Sequence, residues 1–186
     1  MIAAAGRLVS KKGFEYLIDA LSQVNNAVVA LAGDGTLRDE LRARAVQGNV
    51  ADRVIFLGNQ PQDDVSRLFA SADIIATPSV RDDSGNVDGL PNVVMEALAS
   101  GTPLVTTAAG GIGSVVTDGV TALVVPEKDA LALAGALRRL IGDRDLGDQL
   151  ATAGRALVRS RFGWSQTAMQ YEDAYRRALV FASTGR

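Results

Sequence analysis

The stretch "DGLPNVVMEALASGTPLV", residues 88–105, carries two acids in positions suited to chemistry: Asp88, and Glu96 eight positions later inside an otherwise apolar run. Pro91 suits a first helical position and Gly101 a left-handed stop, so the pattern predicts a helix over 91–100 with Leu90 as its N-cap. Leucine offers no oxygen to the first turn. The N–H groups of Asn92, Val93 and Val94 are then left for an outside acceptor, for which a phosphate is the obvious candidate. Asp88 is badly placed to cap the helix itself, and Gly89 lets the chain turn closely beside whatever Asp88 faces. Glu96 is flanked by Val93, Val94, Met95, Ala97 and Leu98. An unpaired carboxylate buried there is costly and needs donors, and a ribose diol supplies two. The competing account sends Glu96 to solvent or pairs it with a structural arginine.

Cations suited to the same phosphate sit near the start, in "GRLVSKKGF" (Gly6, Arg7, Lys11, Lys12, Gly13). Ser10 reads as a helix N-cap, which puts Lys11 and Lys12 in the first turn, against the positive end of the macrodipole at about 0.3 to 1 kcal/mol each. An anion held by Arg7, Lys12 and the free N–H groups removes that conflict, and solvated surface lysines are the plain alternative. In "AGDGTL", Gly33 and Gly35 permit a tight turn or a close ligand approach, and Asp34 can bond the backbone locally; a plain turn is the simpler account. A dinucleotide fingerprint is not met, because Arg38 stands where its third glycine belongs, and "GGIGSV" at 110–115 also lacks the spacing.

The composition narrows the chemistry further. No histidine is present, so the usual neutral-pH proton carrier is missing, and without cysteine there are neither disulfides nor thiolate metal sites. Carboxylates do any proton work, or the base lies elsewhere. A net charge of -2 over 186 residues gives no basic field for a polyanion, so nucleic acid is not an expected partner. The opening "MIAAAGRLVSKKG" has no long apolar stretch behind a basic head; neither signal peptide nor transmembrane segment is expected, and the chain reads as cytoplasmic.

The elements that must position these residues alternate regularly. Short apolar β-branched runs near Ile2–Ala5, Ala27–Ala32, Val54–Leu57, Asp73–Thr77, Pro103–Thr107 and Ala122–Val125 are separated by amphipathic segments such as Phe14, Leu17, Ile18 and Leu21. Strands apolar throughout are covered on both faces. Long helices follow across 129–142 and 145–160, with a last one over about 165–181. The expected fold is α/β, a doubly wound parallel sheet of about six strands with a helical C-terminal tail, forming a single domain over 1–186. In such sheets ligands bind beyond the carboxyl ends of the strands.

Taken in order, "GRLVSKKG", "AGDG", "FLG", "DGLPNVVMEALASGTPLV" and "GGIGSVVTDGVTALVVP" resemble the C-terminal, donor-binding half of a retaining family 4 glycosyltransferase of the GT-B fold, over nearly the whole chain. The resemblance implies a nucleoside diphosphate sugar, such as a UDP or GDP sugar, as partner, no cofactor or tightly bound metal, and a role in polysaccharide biosynthesis. It implies a separate N-terminal Rossmann-like acceptor domain that this sequence lacks, so the chain reads as a fragment of a longer enzyme, weakly active alone. For the full-length enzyme, peripheral membrane attachment stays open. Arg7 and Lys12 correspond to the pair that grips the diphosphate, with Gly6 beside them. Glu96 corresponds to the second acid of the E-x7-E motif, which bonds the ribose, and Asp88 stands where the family has a glutamate near the donor sugar. Gly33 and Gly35 resemble glycines that make room for the nucleotide. Phe56, Leu57 and Gly58 would line the base through main-chain groups; Gly89 and the backbone of Leu90, Pro91, Asn92 and Val93 would meet sugar and phosphates. The loop "RDDSGNVD" reads as a lid, and the helix carrying Trp164, Tyr171 and Tyr175 as a segment that packs on the partner domain. A sugar-nucleotide epimerase of the same fold and a noncatalytic nucleotide-binding module are the alternatives.

Overall fold

The computed structural model describes residues 1–184, with side chains described through residue 181. Strand β1 (Ile2–Ala5) shows how the sheet is built: Ile2 and Ala4 enter one buried cluster while Ala3 and Ala5 enter another. The strands at 29–32, 74–77 and 104–107 are likewise buried along their whole length, which is why their sequences are mostly apolar rather than alternating, whereas the edge strand at 54–58 leaves Ile55 and Leu57 exposed despite its apolar run. The other strands are β2 (Val29–Ala32), β3 (Val54–Gly58), β4 (Ile74–Thr77), β5 (Leu104–Thr107) and β6 (Leu123–Val125). All are parallel, in the order β3-β2-β1-β4-β5-β6. Regular pairing begins one or two residues later than the apolar runs suggest at β2, β4, β5 and β6. Residues ahead of the strands still serve the sheet, as when the Pro103 carbonyl accepts from Ile75 N–H at 2.8 Å.

The helices are α1 (Phe14–Leu21), α2 (Arg38–Gln47), α3 (Gln62–Ser71), α4 (Asn92–Ser100), α5 (Ala130–Gly142), α6 (Arg144–Arg161) and α7 (Trp164–Thr184). One cluster joins Phe14, Leu17, Ile18 and Leu21 of α1 to Leu41 of α2 and Leu133 and Leu137 of α5; the other joins Phe69 of α3 to Val94, Ala97 and Leu98 of α4. Each buried leucine or phenylalanine contributes about 1.5 to 3 kcal/mol, so both helical layers are firmly held. The residues α4 buries are spaced by three and one, which confines them to one face and turns Asn92, Val93 and Glu96 toward the strand ends. Helix α7 is different: Trp164 is 90% exposed and Tyr175 69% exposed.

After β3 the chain returns to the middle of the sheet and places β4 beside β1. That reversal is a topological switch point, and the loops leaving the strands there diverge to leave a crevice. Among the described residues no helix is long and apolar enough to cross a membrane.

Candidate functional site

A cleft of about 410 Å³ opens at the carboxyl ends of the strands. Its floor is Ala5 and Gly6 at the end of β1 and Ala32 and Gly33 at the end of β2; its walls are Asn59, Gln60, Gln62 and Val65 on one side and Asn92, Val93 and Glu96 on the other. Gly33 is required here by close approach: at φ 135°, a Cβ would fall 1.9 Å from the Gly6 carbonyl oxygen. Gly35 lies off the cleft wall. The space a side chain would take at residue 35 is filled by the Leu8 backbone, whose N–H donates to the Asp34 carbonyl at 2.9 Å and whose own carbonyl accepts from Leu37 N–H at 3.0 Å. The first two loops are therefore stapled together. A second cavity of similar volume lies at the opposite end of the sheet, among Met1, Asp73, Pro103 and Arg144, away from the start of α4.

Helix α4 begins one residue later than its sequence suggests. Pro91, with φ -65° and ψ 130°, is the N-cap in place of Leu90, which packs against the second core cluster. Among the described residues no side chain caps this end, and Val94 N–H donates to the Pro91 carbonyl at 3.0 Å. That bond takes Val94 out of the expected set of free donors. Asn92 and Val93, both on the cleft wall, supply the uncapped N–H groups at the positive end of the helix. Glu96 stands half-buried behind them. The Gln62 side chain, the first residue of α3, donates to Glu96 Oε1 at 3.4 Å, a long bond that a better donor can displace. Among the described residues no arginine or lysine pairs with Glu96.

Lys11 and Lys12 are not in the first turn of a helix. Ser10–Lys12 form a separate 3-10 turn, ended by Gly13 at φ 64°, and α1 starts only at Phe14 with Gly13 as its cap. A Cβ on residue 13 would lie 2.0 Å from the Pro78 carbonyl oxygen, so the β4 loop forces the break. The lysines meet a carboxylate instead: Lys12 Nζ lies 2.6 Å from Asp88 Oδ2 and Lys11 Nζ 2.7 Å from Asp88 Oδ1. Burial alone would push the Asp88 carboxyl up, but hydrogen bonds from Lys11 and Lys12 outweigh it and hold it below the usual value. Arg7, next after Gly6, is exposed and does not line the cleft.

The strip that carries Asp88 is fixed by a loop beyond β5. Gly111 N–H donates to the Gly89 carbonyl at 2.5 Å, and Gly110, at φ 58°, presses against the Asp88 carbonyl. Ahead of Asp88, the Asp82 carboxylate accepts from the Ser84 hydroxyl at 2.6 Å and from Asn86 N–H at 2.9 Å, and these bonds hold its pKa below the usual value. Lys128 reaches Asp83 at 2.7 Å, so the 81–88 segment is tied to the chain that follows β6. Among the described residues no group of acids is placed to hold a metal ion.

The family model described as glycosyl transferases group 1 matches residues 1–157. The chain belongs to that family. An uncharacterized glycosyltransferase of Methanocaldococcus jannaschii is 31% identical over 182 residues, covering 96% of this chain and 45% of the relative. A GDP-mannose-dependent alpha-(1-6)-phosphatidylinositol monomannoside mannosyltransferase of Mycobacterium tuberculosis is 32% identical over 180 residues, covering 94% and 47%. Among solved structures, Anabaena HepE in complex with UDP superposes with a TM-score of 0.86 at 26% identity, over 95% of this chain and 48% of that one. The chain spans about half the length of the curated relatives it matches, and its fold is that of one half of a GT-B glycosyltransferase.

Within this group 1 fold, the structure gathers Gly6, Gly33, Asn92, Val93 and Glu96 around one cleft and sets Asp88, Gly89 and Lys12 beside it. Phe56 turns away: its ring lies 5.4 Å from the Arg42 guanidinium and packs on the first core cluster, while Leu57 is exposed. Gly58 gives its carbonyl to Gly33 N–H at 2.7 Å, and the cleft wall begins one residue further on, at Asn59. Asn59, Gln60, Gln62 and the Gly110–Gly111 clamp escaped sequence reasoning. Their only signal was position: one set follows a strand, the other is a glycine pair after a strand.

Proposed function

We propose that this chain is the donor-binding half of a glycosyltransferase that moves a sugar from a nucleoside diphosphate sugar to an acceptor hydroxyl with retention, as in family 4. The observation that carries the proposal is the cleft itself: a carboxylate on one wall, an uncapped helix start beside it, and the Lys12 stem packed beside Gly6 on its floor. In this reading Glu96 accepts hydrogen bonds from the ribose hydroxyls in place of the long Gln62 contact. Asn59 and Gln60 face the base. The diphosphate lies at the N-terminus of α4, where the N–H groups of Asn92 and Val93 and the charges of Lys12 and Arg7 meet it.

The chemistry asked of these groups is stabilisation of a leaving group. The bond from the anomeric carbon to the β-phosphate oxygen breaks, the electron pair stays on that oxygen, a new bond forms from the acceptor oxygen to the same carbon, and the acceptor hydroxyl's proton passes to the departing diphosphate. Fixed cations and N–H groups aimed at the departing diphosphate lower the barrier because they need no reorganisation as charge develops. The acceptor hydroxyl is delivered by a second domain, an N-terminal one in a longer protein, and proximity supplied by that domain is what this half lacks. The aromatic face of α7 packs on it. The UDP complex of the Anabaena neighbour and the GDP-mannose named for the mycobacterial relative support a nucleoside diphosphate and leave the base open. A cytoplasmic location goes with such a donor.

Calorimetric titration of the 186-residue chain with UDP, GDP and ADP tests the reading. One of the three binds at sub-millimolar concentration. No binding at millimolar concentration by a folded chain overturns it.

A further inference from the structure

Lys11 has no part in the reading above, yet it shares the Asp88 carboxylate with Lys12, one ammonium on each oxygen. The three side chains are only 13–19% exposed, so solvent gives little compensation for an unmatched charge among them. Asp88 cannot withdraw, because Gly110 and Gly111 clamp its backbone from behind. Lys11 is anchored too, its carbonyl accepting from Val80 N–H at 3.0 Å. Lys12 differs in one respect: its stem runs beside Gly6, on the cleft floor, with Cε about 3.5 Å from where a Cβ on residue 6 would sit. Of the two ammonium groups it is the one whose stem borders the cleft.

We propose that Asp88 and Lys11 form an exchange pair for Lys12. With the cleft empty, Asp88 holds Lys12 beside Gly6. A diphosphate takes Lys12 over, and Lys11 stays on Asp88 so that the carboxylate is not left partly buried without a counter-charge, the situation that makes breaking one side of a buried ion pair expensive. Lys11 is thus a positioning residue that acts through Asp88, and Asp88 competes with phosphate as well as aligning its ligand. The inference deepens the donor-site reading and rests on it for the identity of the incoming anion.

The test is a double-mutant cycle on the full chain, read by calorimetry with inorganic pyrophosphate, UDP and uridine. Lys11→Met lowers pyrophosphate and UDP affinity about tenfold when residue 88 is aspartate and less than about twofold in the Asp88→Asn background. Asp88→Asn alone raises the ratio of UDP to uridine affinity several-fold. An equal Lys11→Met effect in both backgrounds, or a fall in that ratio in Asp88→Asn, overturns the exchange. If UDP, GDP and ADP all fail on the unsubstituted chain while pyrophosphate shows the coupling, the donor reading falls and the exchange pair stands. Should the variants not fold, lysine side-chain nitrogen resonances of the unsubstituted chain decide: pyrophosphate moves the Lys12 signal and leaves that of Lys11, and equal movement of both overturns the proposal.

Discussion

The carbonyl oxygen of Asp88 occupies the space where a side chain on Gly110 would begin, 1.9 Å from the ideal Cβ position. The loop after β5 therefore fixes the segment that enters α4, and the acid at the cleft edge is aimed by a glycine 22 positions away. Gly110→Ala must relieve both a positive φ and this clash. Gly119, at φ 68° with nothing near its Cβ position, isolates the first cost. Gly119→Ala should cost about 1 to 2 kcal/mol, the price of a left-handed alanine, and Gly110→Ala about 3 kcal/mol or more. Urea unfolding of the two variants measures the difference, and equal costs would mean that the Asp88 strip yields freely.

Under the proposed function Glu96 reads the ribose diol. Replacing it by glutamine keeps the shape and removes the charge, and hydrogen bonds to a charged acceptor contribute about 1.5 to 3 kcal/mol. Glu96→Gln should weaken UDP or GDP binding about 10- to 100-fold and change the affinity of the 2′,3′-dideoxy analogue far less. A proportionate loss for both ligands would remove the ribose from the assignment.

The residues whose role depends on their own helix or strand were legible in the sequence, and those whose role depends on a distant loop were not. The period of Phe14, Leu17, Ile18 and Leu21 and the apolar run of each strand are local facts, and the sheet follows from them. The position of Glu96 among apolar neighbours was local too. Lys11 and Lys12 lie a turn ahead of α1, because the Pro78 carbonyl, 65 positions from Gly13, packs where a side chain on residue 13 would stand. Pro91 is the N-cap and not the first helical residue because its extended ψ is a property of the folded strip, which no local pattern encodes. Asn59, Gln60 and Gln62 have no pattern of their own and become wall residues only when β3 pairs with β2.

Two carboxylates shift in opposite directions and should leave opposite marks on stability. Glu15, in the first turn of α1, has a buried Oε2 with no hydrogen-bond partner among the described residues, and burial raises its pKa above 4.5 despite the nearby Arg44. Its folded state resists ionisation, so stability is lost as pH rises through 4.5 toward the folded pKa. Glu15→Gln should therefore raise stability at pH 7, by about 1 kcal/mol, and have little effect near pH 4. Asp88 is the reverse: its folded pKa lies below 3.8, the stabilisation is present above that value, and it is lost as pH falls through the folded pKa. Asp88→Asn should be destabilising at pH 7 and converge with the parent in acid. Denaturant melts across this range give both curves, and parallel curves for either variant would contradict its shift.

Helix α7 has its own built-in reporter. Trp164 is the chain's one tryptophan and is 90% exposed at the first residue of the helix, with Tyr171, Tyr175 and Leu179 also exposed along it. An exposed apolar face of this kind is an interaction surface, and under the proposed function the acceptor domain covers it. The isolated chain should show solvent-like tryptophan emission that iodide quenches freely, and nucleotide should leave it unchanged because, among the described residues, none lining the cleft lies on α7. In a longer protein that includes the acceptor domain, the same tryptophan should shift to shorter wavelength and resist iodide. Protected emission in the isolated chain would show that α7 is already covered, and a parent protein whose Trp164 stays fully quenchable would remove α7 from the domain interface.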